Sequence, residues 1–399
     1  MKNSQLNLYI EINILSFIFF IGENDDQDKH KIIYKLEIPV SGIDNNRISN
    51  FEEVLNIIKE NIYSIEQKYK TTFKDIILIL DNSNPNFINL SGYKMLNGSQ
   101  VLRENIIYII NTLKSYVDKT ETKKKIIHIF NSKYYLDKKE IENLPIGLFG
   151  DFYSHDLSFA LIDLNFYNNL KNIFDKSNLK IKKIYLKSFV KGAHLSSNNK
   201  NIQNFFHISM SEKSSKIFYF ENESLKLEQV FNFGTDIVIN DIQKVTGLKI
   251  SSVKNILDKI ELKQDHLNDS DLIEEELLQD ENIKKIKKKL FYEIALARVI
   301  ELSDLIIFKN INFTYNYNTA KVIFLEIESS LQLQSLKEVY QSVFSRNNNG
   351  EVKFIEKQLF ENMVDTAYKL VHFGWKKEAI PISQPKKSLI SKLFDLFFR

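Results

Sequence analysis

The sequence predicts a two-domain α/β protein in which one β-β-β-α-β unit occurs twice. Apolar runs that are typical of strands come in a group of three before an amphipathic helix and a further strand, and this order returns about halfway along the chain. The 399 residues are 43% hydrophobic and 12% aromatic, which is enough for two or more domain-sized cores.

The first unit begins near the amino terminus. Its helix is predicted to start at a capping box formed by Ser49 and Glu52, because the hydroxyl and the carboxylate can each bond a free backbone amide. The continuous apolar run Asp75 to Asp81 then predicts a strand buried on both faces. The three strands before the helix are expected at about Leu6–Phe17, at Ile18–Gly22 and from Lys31.

The second unit repeats this order with different residues. A helix is predicted over Ile237 to Val245, and a buried strand follows much later at Ala320 to Ile327. The three strands before that helix are expected at Asn204–Met210, Ser215–Phe220 and Leu225–Phe233. Two such units, each with an insertion, are the layout of the actin, sugar-kinase and 70-kDa heat-shock-protein superfamily. We therefore expect an actin-like (ribonuclease H-like) fold.

The insertions and the chain end define the predicted domain boundaries. A mixed segment between the halves of the first unit contains a helix, a strand and the phrase NLPIGLFGD, and a charged helical segment interrupts the second unit. We predict a first core at residues 1–90 and 166–203, an insertion at 91–165, a second core at 204–237 and 318–375, a helical insertion at 238–317, a linker at 376–385 and a terminal helix at 386–399.

Composition excludes several classes of function. The net charge is +3, and no basic stripe with interleaved aromatics suggests a nucleic-acid partner. Without cysteine there are no disulfides and no thiolate chemistry, and the seven histidines show no metal-ligand spacing, so no metal site is expected. The apolar start is interrupted by Glu11 and Asn13, which argues against a signal peptide or membrane span and favours a cytoplasmic protein.

The last fourteen residues, KKSLISKLFDLFFR, have the pattern of an amphipathic helix. One interpretation is a terminal helix that docks on its own domain. The other is a helix that lies in a membrane surface, with basic residues toward anionic lipid and apolar residues in the acyl boundary. The candidate membrane residues are Leu389, Ile390, Lys392, Leu393, Phe394, Leu396, Phe397, Phe398 and Arg399.

Several phrases together resemble the bacterial cell-division FtsA family, the actin-like adaptors that attach the tubulin-like FtsZ to the membrane. Pro145 to Gly150 (PIGLFG) is similar to part of the substituted insertion of that family. Gly234, Asp236, Asn240, Asp241 and Ile242 are in register with its G-G-x-x-I-T-x-D-I phrase, and Arg298 and Glu301 with its R-x-x-E-I segment. The terminal amphipathic helix after a polar linker is a further shared feature.

This resemblance implies a set of partners. The helical insertion of the family receives the acidic, apolar C-terminal peptide of FtsZ, which assigns Arg298 to that site, and we add Lys285, Lys288 and Lys289 on charge. Self-association into filaments, contacts with other division proteins and attachment to anionic lipid at the division septum are implied in the same way. Two alternatives stay open: an actin-like scaffold of the pilus-assembly (PilM) type, and a divergent actin-like ATPase.

The nucleotide-binding motifs of the family that this chain resembles are degenerate here. Its D-I-G-T/S phrase becomes Glu11-Ile12-Asn13-Ile14, and its T-G-G-G phrase becomes Leu325-Glu326-Ile327-Glu328. Its second phosphate hairpin, D-I-G-G-G-T-T-D, aligns with Ser209, Met210, Ser211, Glu212, Lys213, Ser214, Ser215 and Lys216. Glycine is needed there so that backbone amides can approach phosphate oxygens. We expect neither the ATP and magnesium of the family as cofactors nor ATP hydrolysis, and so no enzyme.

Two smaller expectations follow from the lost glycines. Lys213 and Lys216 could form an unorthodox phosphate grip, although a neighbouring glutamate would neutralise most of it. Apolar packing by residues such as Met210 and Ile327 is expected to close part of the emptied cleft. The degenerate positions are Glu11, Asn13, Ser209, Ser211, Glu212, Ser214, Ser215, Gly234, Glu326 and Glu328.

Overall fold

The protein is described from a computed structural model, whose chain divides into two compact units. The structure describes residues 6–24, 30–44, 47–81, 83–263, 267–279, 281–282, 285–313, 320, 322–327, 334–346, 351–355 and 360–379. Of these, unit 1 contains the described residues of 6–86 and 168–374, and unit 2 contains 87–167 and 375–379.

The first sheet of unit 1 has five strands in the order β11-β6-β1-β2-β3. β1 pairs antiparallel with β2 and parallel with β6, β2 pairs antiparallel with β3, and β6 pairs parallel with β11. The strands are β1 (Leu6–Ile12), β2 (Ser16–Asn24), β3 (His30–Pro39), β6 (Asp75–Leu80) and β11 (Lys180–Leu186), with the short pair β4 (Ile43–Asp44) and β5 (Arg47–Ile48) before the first helix.

The second sheet of unit 1 repeats this topology. Its order is β14-β13-β12-β15-β16, with antiparallel pairing from β12 to β13 to β14 and parallel pairing from β12 to β15 to β16. The strands are β12 (Phe205–Met210), β13 (Ser215–Glu221), β14 (Ser224–Phe231), β15 (Val322–Ile327) and β16 (Glu351–Ile355). The duplicated β-β-β-α-β topology confirms the predicted actin-like fold.

Helices accompany both sheets of unit 1. Five apolar residues of α1 that form one helical stripe, among them Ile58 and Ile62, are buried as the sequence pattern predicts. The four α-helices described between the third and the last strand of the second sheet share one hydrophobic core with it. The helices are α1 (Phe51–Tyr69), α3 (Leu164–Lys176), which continues from unit 2, α4 (Lys187–Asn198), α5 (Asp236–Thr246), α6 (Ile250–Lys259), α7 (Lys288–Ser303), α8 (Gln334–Arg346) and α9 (Phe360–Phe373), with a 3₁₀ turn at Glu275–Leu278 and a π-helical turn at Asp304–Phe308.

Two local expectations for the first unit were wrong by a few residues. The predicted strand Leu6–Phe17 is broken at Asn13, whose side-chain oxygen accepts hydrogen bonds from the amides of Leu15 (2.8 Å) and Ser16 (2.7 Å) and so forms a turn. The cap of α1 is Asn50 and not Ser49, because the Asn50 side chain accepts from the amide of Glu53 at 3.3 Å.

Unit 2 is a four-stranded sheet with one long helix packed on it. The strand order is β7-β10-β8-β9, and β8 pairs antiparallel with β10 and with β9. The buried face of the helix and the strands β8 and β10 form a separate hydrophobic core. The elements are β7 (Asn86–Met95), α2 (Arg103–Thr120), β8 (Lys124–Leu136), β9 (Lys139–Ile141) and β10 (Phe152–Asp163).

The start of the predicted linker belongs to the folded part of unit 2. Ala379 is buried, and its amide donates to the carbonyl oxygen of Ile129 in β8 at 2.7 Å. Residues 380–399, which hold the rest of the linker and the predicted amphipathic helix with all its candidate membrane residues, lie outside the described residues. Within the described part of the chain, no helix is both long enough and apolar enough to cross a bilayer.

Candidate functional site

A cleft of about 880 Å³ in unit 1 is lined by residues of both five-stranded sheets. It lies where the phosphate loops of an actin-like nucleotide site would meet, because the β1–β2 and β12–β13 turns both contribute to its wall. Its most distinctive feature is a set of lysine and carboxylate side chains that contact one another across the cleft.

Glu11 and Asp81 form the acidic side that belongs to the first sheet. β1 and β6 are parallel neighbours with Ile12 opposite Leu80, so a residue near the end of β1 and the residue after β6 come together at one sheet edge. The amide of Asp81 donates to the carbonyl oxygen of Ile12 at 2.9 Å, which fixes this geometry. Glu11 is fully buried.

Lys187 forms ion pairs with both of these carboxylates. It is the first residue of α4, directly after β11, which is the parallel neighbour of β6. Its Nζ lies 2.8 Å from Oε1 of Glu11 and 3.0 Å from Oδ2 of Asp81. One ammonium group therefore ties the ends of β1 and β6 to the start of a helix.

Lys216 extends the network from the second sheet to the first. It lies on β13, and its Nζ is 2.5 Å from Oδ1 of Asp81 and 3.7 Å from Oε1 of Glu228 on β14. The hydroxyl of Ser188 in α4 donates to the other oxygen of Glu228. We call Glu11, Asp81, Lys187, Lys216 and Glu228 the ionic bridge, because these five side chains join the two sheets.

A second charged group lies deeper in the cleft wall. Glu326 on β15 is fully buried, and its Oε2 lies 2.9 Å from Nζ of Lys191 in α4 and 3.1 Å from Nε2 of His207 on β12. β12 and β15 are parallel neighbours with Ser209 opposite Glu326, which places His207 on the same face as the carboxylate.

These contacts determine the ionisation of the network. Burial by itself raises the pKa of the Asp81 carboxyl, but Lys187 and Lys216 lower that pKa well below its ordinary value. Burial acts on the pKa of Glu326 in the same direction, and His207 and Lys191 hold that pKa low. The pKa of Lys187 and of Lys216 is lowered by burial and raised more strongly by the carboxylates, so both amines stay protonated at neutral pH.

The degenerate hairpin residues of the sequence prediction form a closed turn beside this network. The amide of Ser211 donates to the carbonyl oxygen of Ser214 at 2.8 Å, and the two hydroxyls lie 2.9 Å apart. Glu212 and Ser209 line the cleft, whereas the Ser215 hydroxyl donates to the carbonyl oxygen of Phe233 at 2.7 Å. Side chains therefore occupy the turn that glycine leaves open in the nucleotide-binding family.

Gly234 has a packing role against the same hairpin. A Cβ at this position would lie 2.1 Å from the carbonyl oxygen of Ser211, which is backbone and cannot move aside without shifting the turn. The amide of Thr235 donates to that same oxygen at 2.9 Å. Asn13 belongs to the β1–β2 turn described above, and Glu328 lies outside the described residues.

The structure also shows which cleft residues the sequence argument missed or misjudged. Asp81, Lys187, Lys191, His207 and Glu228 were not identified, although Asp81 and Lys187 each follow a buried parallel strand, a usual position for site residues in α/β sheets. Of the proposed phosphate-gripping lysines, Lys216 is paired with carboxylates and Lys213 is exposed at the cleft rim. Met210 and Ile327 belong to the hydrophobic core of the second sheet and do not line the cleft.

The residues predicted to receive an acidic peptide lie in two places. The guanidinium of Arg298 on α7 forms an ion pair with the carboxylate of Asp241 on α5. It forms a second ion pair with Glu301, in which Nη1 and Oε2 lie 2.7 Å apart. Lys285 and Lys289 instead line a separate groove of about 570 Å³. Lys288 is the first residue of α7, next to Lys289.

That groove combines basic and apolar side chains. Lys285, Lys287 and Lys289 line it together with apolar residues, of which Val245 is largely exposed. Lys289 is paired with Asp269, and Glu293 also contributes to the wall. We call this the α5–α7 groove.

No metal site accompanies the cleft among the residues that can be described. In that part of the chain, no three histidine, aspartate or glutamate side chains are grouped so that they could hold a metal ion. The carboxylates of Glu11, Asp81 and Glu326 are each paired with at least one lysine, as shown above.

Comparison with known proteins supports the fold and indicates relatives. No protein-family model matches the chain. The cell-division protein FtsA of Buchnera aphidicola from Schizaphis graminum is 23% identical over 255 residues, which is 64% of this chain and 60% of that protein. FtsA of Buchnera aphidicola from Acyrthosiphon pisum is 21% identical over 410 aligned positions, which cover 100% of this chain and 97% of that protein.

Among solved structures, the PilM–PilN type IV pilus biogenesis complex superposes with a TM-score of 0.52 at 10% identity, over 94% of this chain and 99% of the other chain. This likeness shows the actin-like fold. The chain is thus similar to FtsA proteins in sequence and actin-like in structure.

The ionic bridge predicts a specific loss of stability. The substitution Lys216→Met leaves Asp81 with one lysine partner in place of two, and it leaves Glu228 without the ammonium group of Lys216. The free energy of unfolding should therefore fall by about 1–3 kcal/mol. Urea denaturation at pH 7 measures this change. Lys213→Met, three residues away on the exposed rim, is the control and should change stability by less than about 0.5 kcal/mol. Equal stability of the Lys216 variant and the control would contradict the bridge.

Proposed function

We propose that this protein is an FtsA-like cell-division adaptor that tethers FtsZ filaments to the cytoplasmic membrane and helps assemble the division machinery without binding nucleotide. The observation that carries the proposal is the sequence similarity to an FtsA over the whole chain, on a duplicated actin-like fold. In this proposal the protein is peripheral to the membrane at the division septum. Filament formation and contacts with other division proteins through residues 91–165 belong to the same proposal.

The chemistry of the cleft supports the absence of nucleotide binding. A triphosphate needs backbone amides and cations that are free to meet its oxygens. The ammonium groups of Lys187, Lys191 and Lys216 are already paired with carboxylates of the protein, and Glu212 lines the same cleft. ATP and magnesium therefore do not fit these residues, since the phosphates would have to break the ionic bridge and approach several carboxylates.

This part of the proposal is tested by calorimetric titration of ATP with magnesium into the full-length protein. We expect no binding tighter than about 1 mM, because loss of the phosphate loops removes more than the roughly 4 kcal/mol that separates millimolar from micromolar affinity. A matched titration with Asp81→Asn, which removes the carboxylate that Lys187 and Lys216 share, asks whether opening the bridge restores any affinity. Saturable binding of ATP by the wild-type protein that is tighter than about 1 mM would refute a nucleotide-free adaptor and favour the divergent ATPase.

The α5–α7 groove is the proposed site for the C-terminal peptide of FtsZ. Its three lysines outnumber its two carboxylates, Asp269 and Glu293, which favours an acidic peptide. Val245, Ile286 and Leu290 offer apolar contacts. Arg298, which the family resemblance favoured, is engaged by Asp241 and Glu301 and would act by holding α5 against α7. The lysines Lys285 and Lys289 are accordingly the residues to alter.

Charge reversal in the groove should weaken peptide binding. The double variant Lys285→Glu with Lys289→Glu should lower the affinity for a labelled FtsZ C-terminal peptide at least about tenfold, since like charges then face the acidic ligand. Fluorescence anisotropy measures the affinity. The control is the double variant Lys254→Glu with Lys259→Glu on α6. It changes the net charge by the same amount, but neither residue lines the groove. If both double variants bind the peptide as the wild type does, the groove is not its site.

The membrane part of the proposal depends on the terminal residues 386–399, which lie outside the described structure. An amphipathic segment of five to seven large apolar groups gives a few kcal/mol of interfacial binding, so a single copy would attach weakly and reversibly. Several copies in one filament would bind firmly by avidity. Attachment would then depend on assembly.

Co-sedimentation with anionic vesicles tests the anchor directly. Full-length protein should pellet with vesicles, and a version that ends at Gln384 should stay in solution, because it lacks the apolar face that the terminal helix would insert into the bilayer. Vesicles without anionic lipid are the control for charge. If full-length and shortened protein both stay in solution, the helix docks on the protein itself, and a soluble actin-like scaffold of the PilM type becomes the better interpretation.

A further inference from the structure

The described chain ends as a short strap that is paired with the sheet of unit 2. We define the strap as Trp375–Ala379. Glu378 forms an antiparallel bridge with Phe130 of β8. The amide of Asn131 donates to the carbonyl oxygen of Lys377 at 2.6 Å, and the amide of Ala379 donates to the carbonyl oxygen of Ile129. The strap therefore runs antiparallel to β8 along its open edge.

Side-chain contacts also hold the strap on β8. Oε1 of Glu378 lies 3.0 Å from Nδ1 of His128, and both side chains are almost completely buried. Ala379 belongs to the hydrophobic core of unit 2. The Nζ of Lys377 lies 5.2 Å from the centre of the Tyr134 ring, within range of a cation–π contact. The point from which the terminal segment departs is thus fixed on unit 2.

The direction of the strap and the number of residues after it limit where the predicted anchor helix can begin. An antiparallel strap at Ile129 points toward Lys124, where β8 starts. Six residues, 380–385, separate Ala379 from the predicted helix, and a chain of that length reaches at most about 20 Å. The five residue-to-residue steps of β8 from Ile129 to Lys124 span about 17 Å. The start of β8 is within this reach.

That end of unit 2 carries a cluster of lysines. Lys119 at the end of α2, Lys123 in the turn and Lys125 on β8 are all exposed, and Lys124 lies 3.6 Å from Glu121. Other charged groups nearby are already engaged. Lys114 pairs with Asp118, and Asp163 accepts the amide of Phe166 at 2.9 Å. Within the cluster itself, Lys125 lies 5.5 Å from the centre of the Tyr167 ring.

We propose that the α2–β8 turn, with Lys119, Lys123, Lys124 and Lys125, is a membrane-contacting surface that binds anionic lipid headgroups beside the terminal helix. This inference rests on the proposed membrane anchor and adds a second contact to it. Lysines within a few ångströms of an anionic surface each strengthen attachment about fivefold. Tyr116, which is 56% exposed near the end of α2, is the type of side chain that sits at the headgroup level.

The two contacts would act together because one short segment connects them. The terminal helix would supply apolar insertion, and the turn would supply charge attraction that falls off within a Debye length of about 10 Å. Since the strap is bonded to β8, membrane attachment would also fix the orientation of unit 2 against the bilayer. A flexible anchor on a long linker would leave that orientation free.

A pair of charge-reversal variants tests this surface in the full-length protein. Lys119→Glu with Lys123→Glu should weaken co-sedimentation with phosphatidylglycerol-containing vesicles at least about tenfold, and Lys119→Gln with Lys123→Gln should have a smaller effect in the same direction. The control is Lys138→Glu with Lys139→Glu in the β8–β9 turn, at the other end of the same strand. It carries the same change of net charge and should bind as the wild type does.

The outcomes separate this inference from the anchor on which it rests. If wild-type protein pellets and the Lys119 and Lys123 variants pellet equally well, the turn is not a lipid contact, although the anchor stands. The same conclusion follows if the control variant loses as much binding, because net charge alone then explains the loss. If wild-type protein fails to pellet at all, the anchor and this surface are both refuted.

Discussion

The ionic bridge between the two five-stranded sheets is the interaction on which the architecture of unit 1 depends. Asp81 accepts from one lysine of each half, Lys187 after β11 and Lys216 on β13, so a single carboxylate links the two repeats of the fold. Partly buried charges are costly unless each has a partner at close range. The bridge satisfies this condition with the protein's own side chains, which connect the two sheets across the cleft.

The same bridge accounts for the loss of glycine around the cleft. In a nucleotide-binding actin-like protein, backbone amides must meet phosphate oxygens, and side chains at those positions would be in the way. Here the lysines are paired with Glu11, Asp81 and Glu326, and in the proposed nucleotide-free function the turns would have no phosphate to approach. The hairpin Ser211 to Ser214 closes on itself, and Gly234 is retained because its backbone packs against that hairpin.

Unit 2 has a different organisation, since its sheet includes residues from two distant parts of the chain. The strap covers part of the open edge of β8, where unpaired backbone groups would otherwise invite pairing with another chain. The buried contact between His128 and Glu378 and the packing of Ala379 make this pairing part of the core. Within unit 2, the last described residues are therefore structural, and the segment proposed to reach the membrane starts from a fixed place.

The sequence by itself determined the duplicated β-β-β-α-β order, because hydrophobic periodicity is a local property that each strand and helix displays separately. It also identified the altered phosphate loops, since glycine is recognisable residue by residue. Only the tertiary structure decided that Lys216 meets Asp81, that Arg298 is held by Asp241, and that Glu378 reaches His128. These partners are 135, 57 and 250 residues apart, and no local pattern encodes which distant charges the packing of sheets and helices brings within contact.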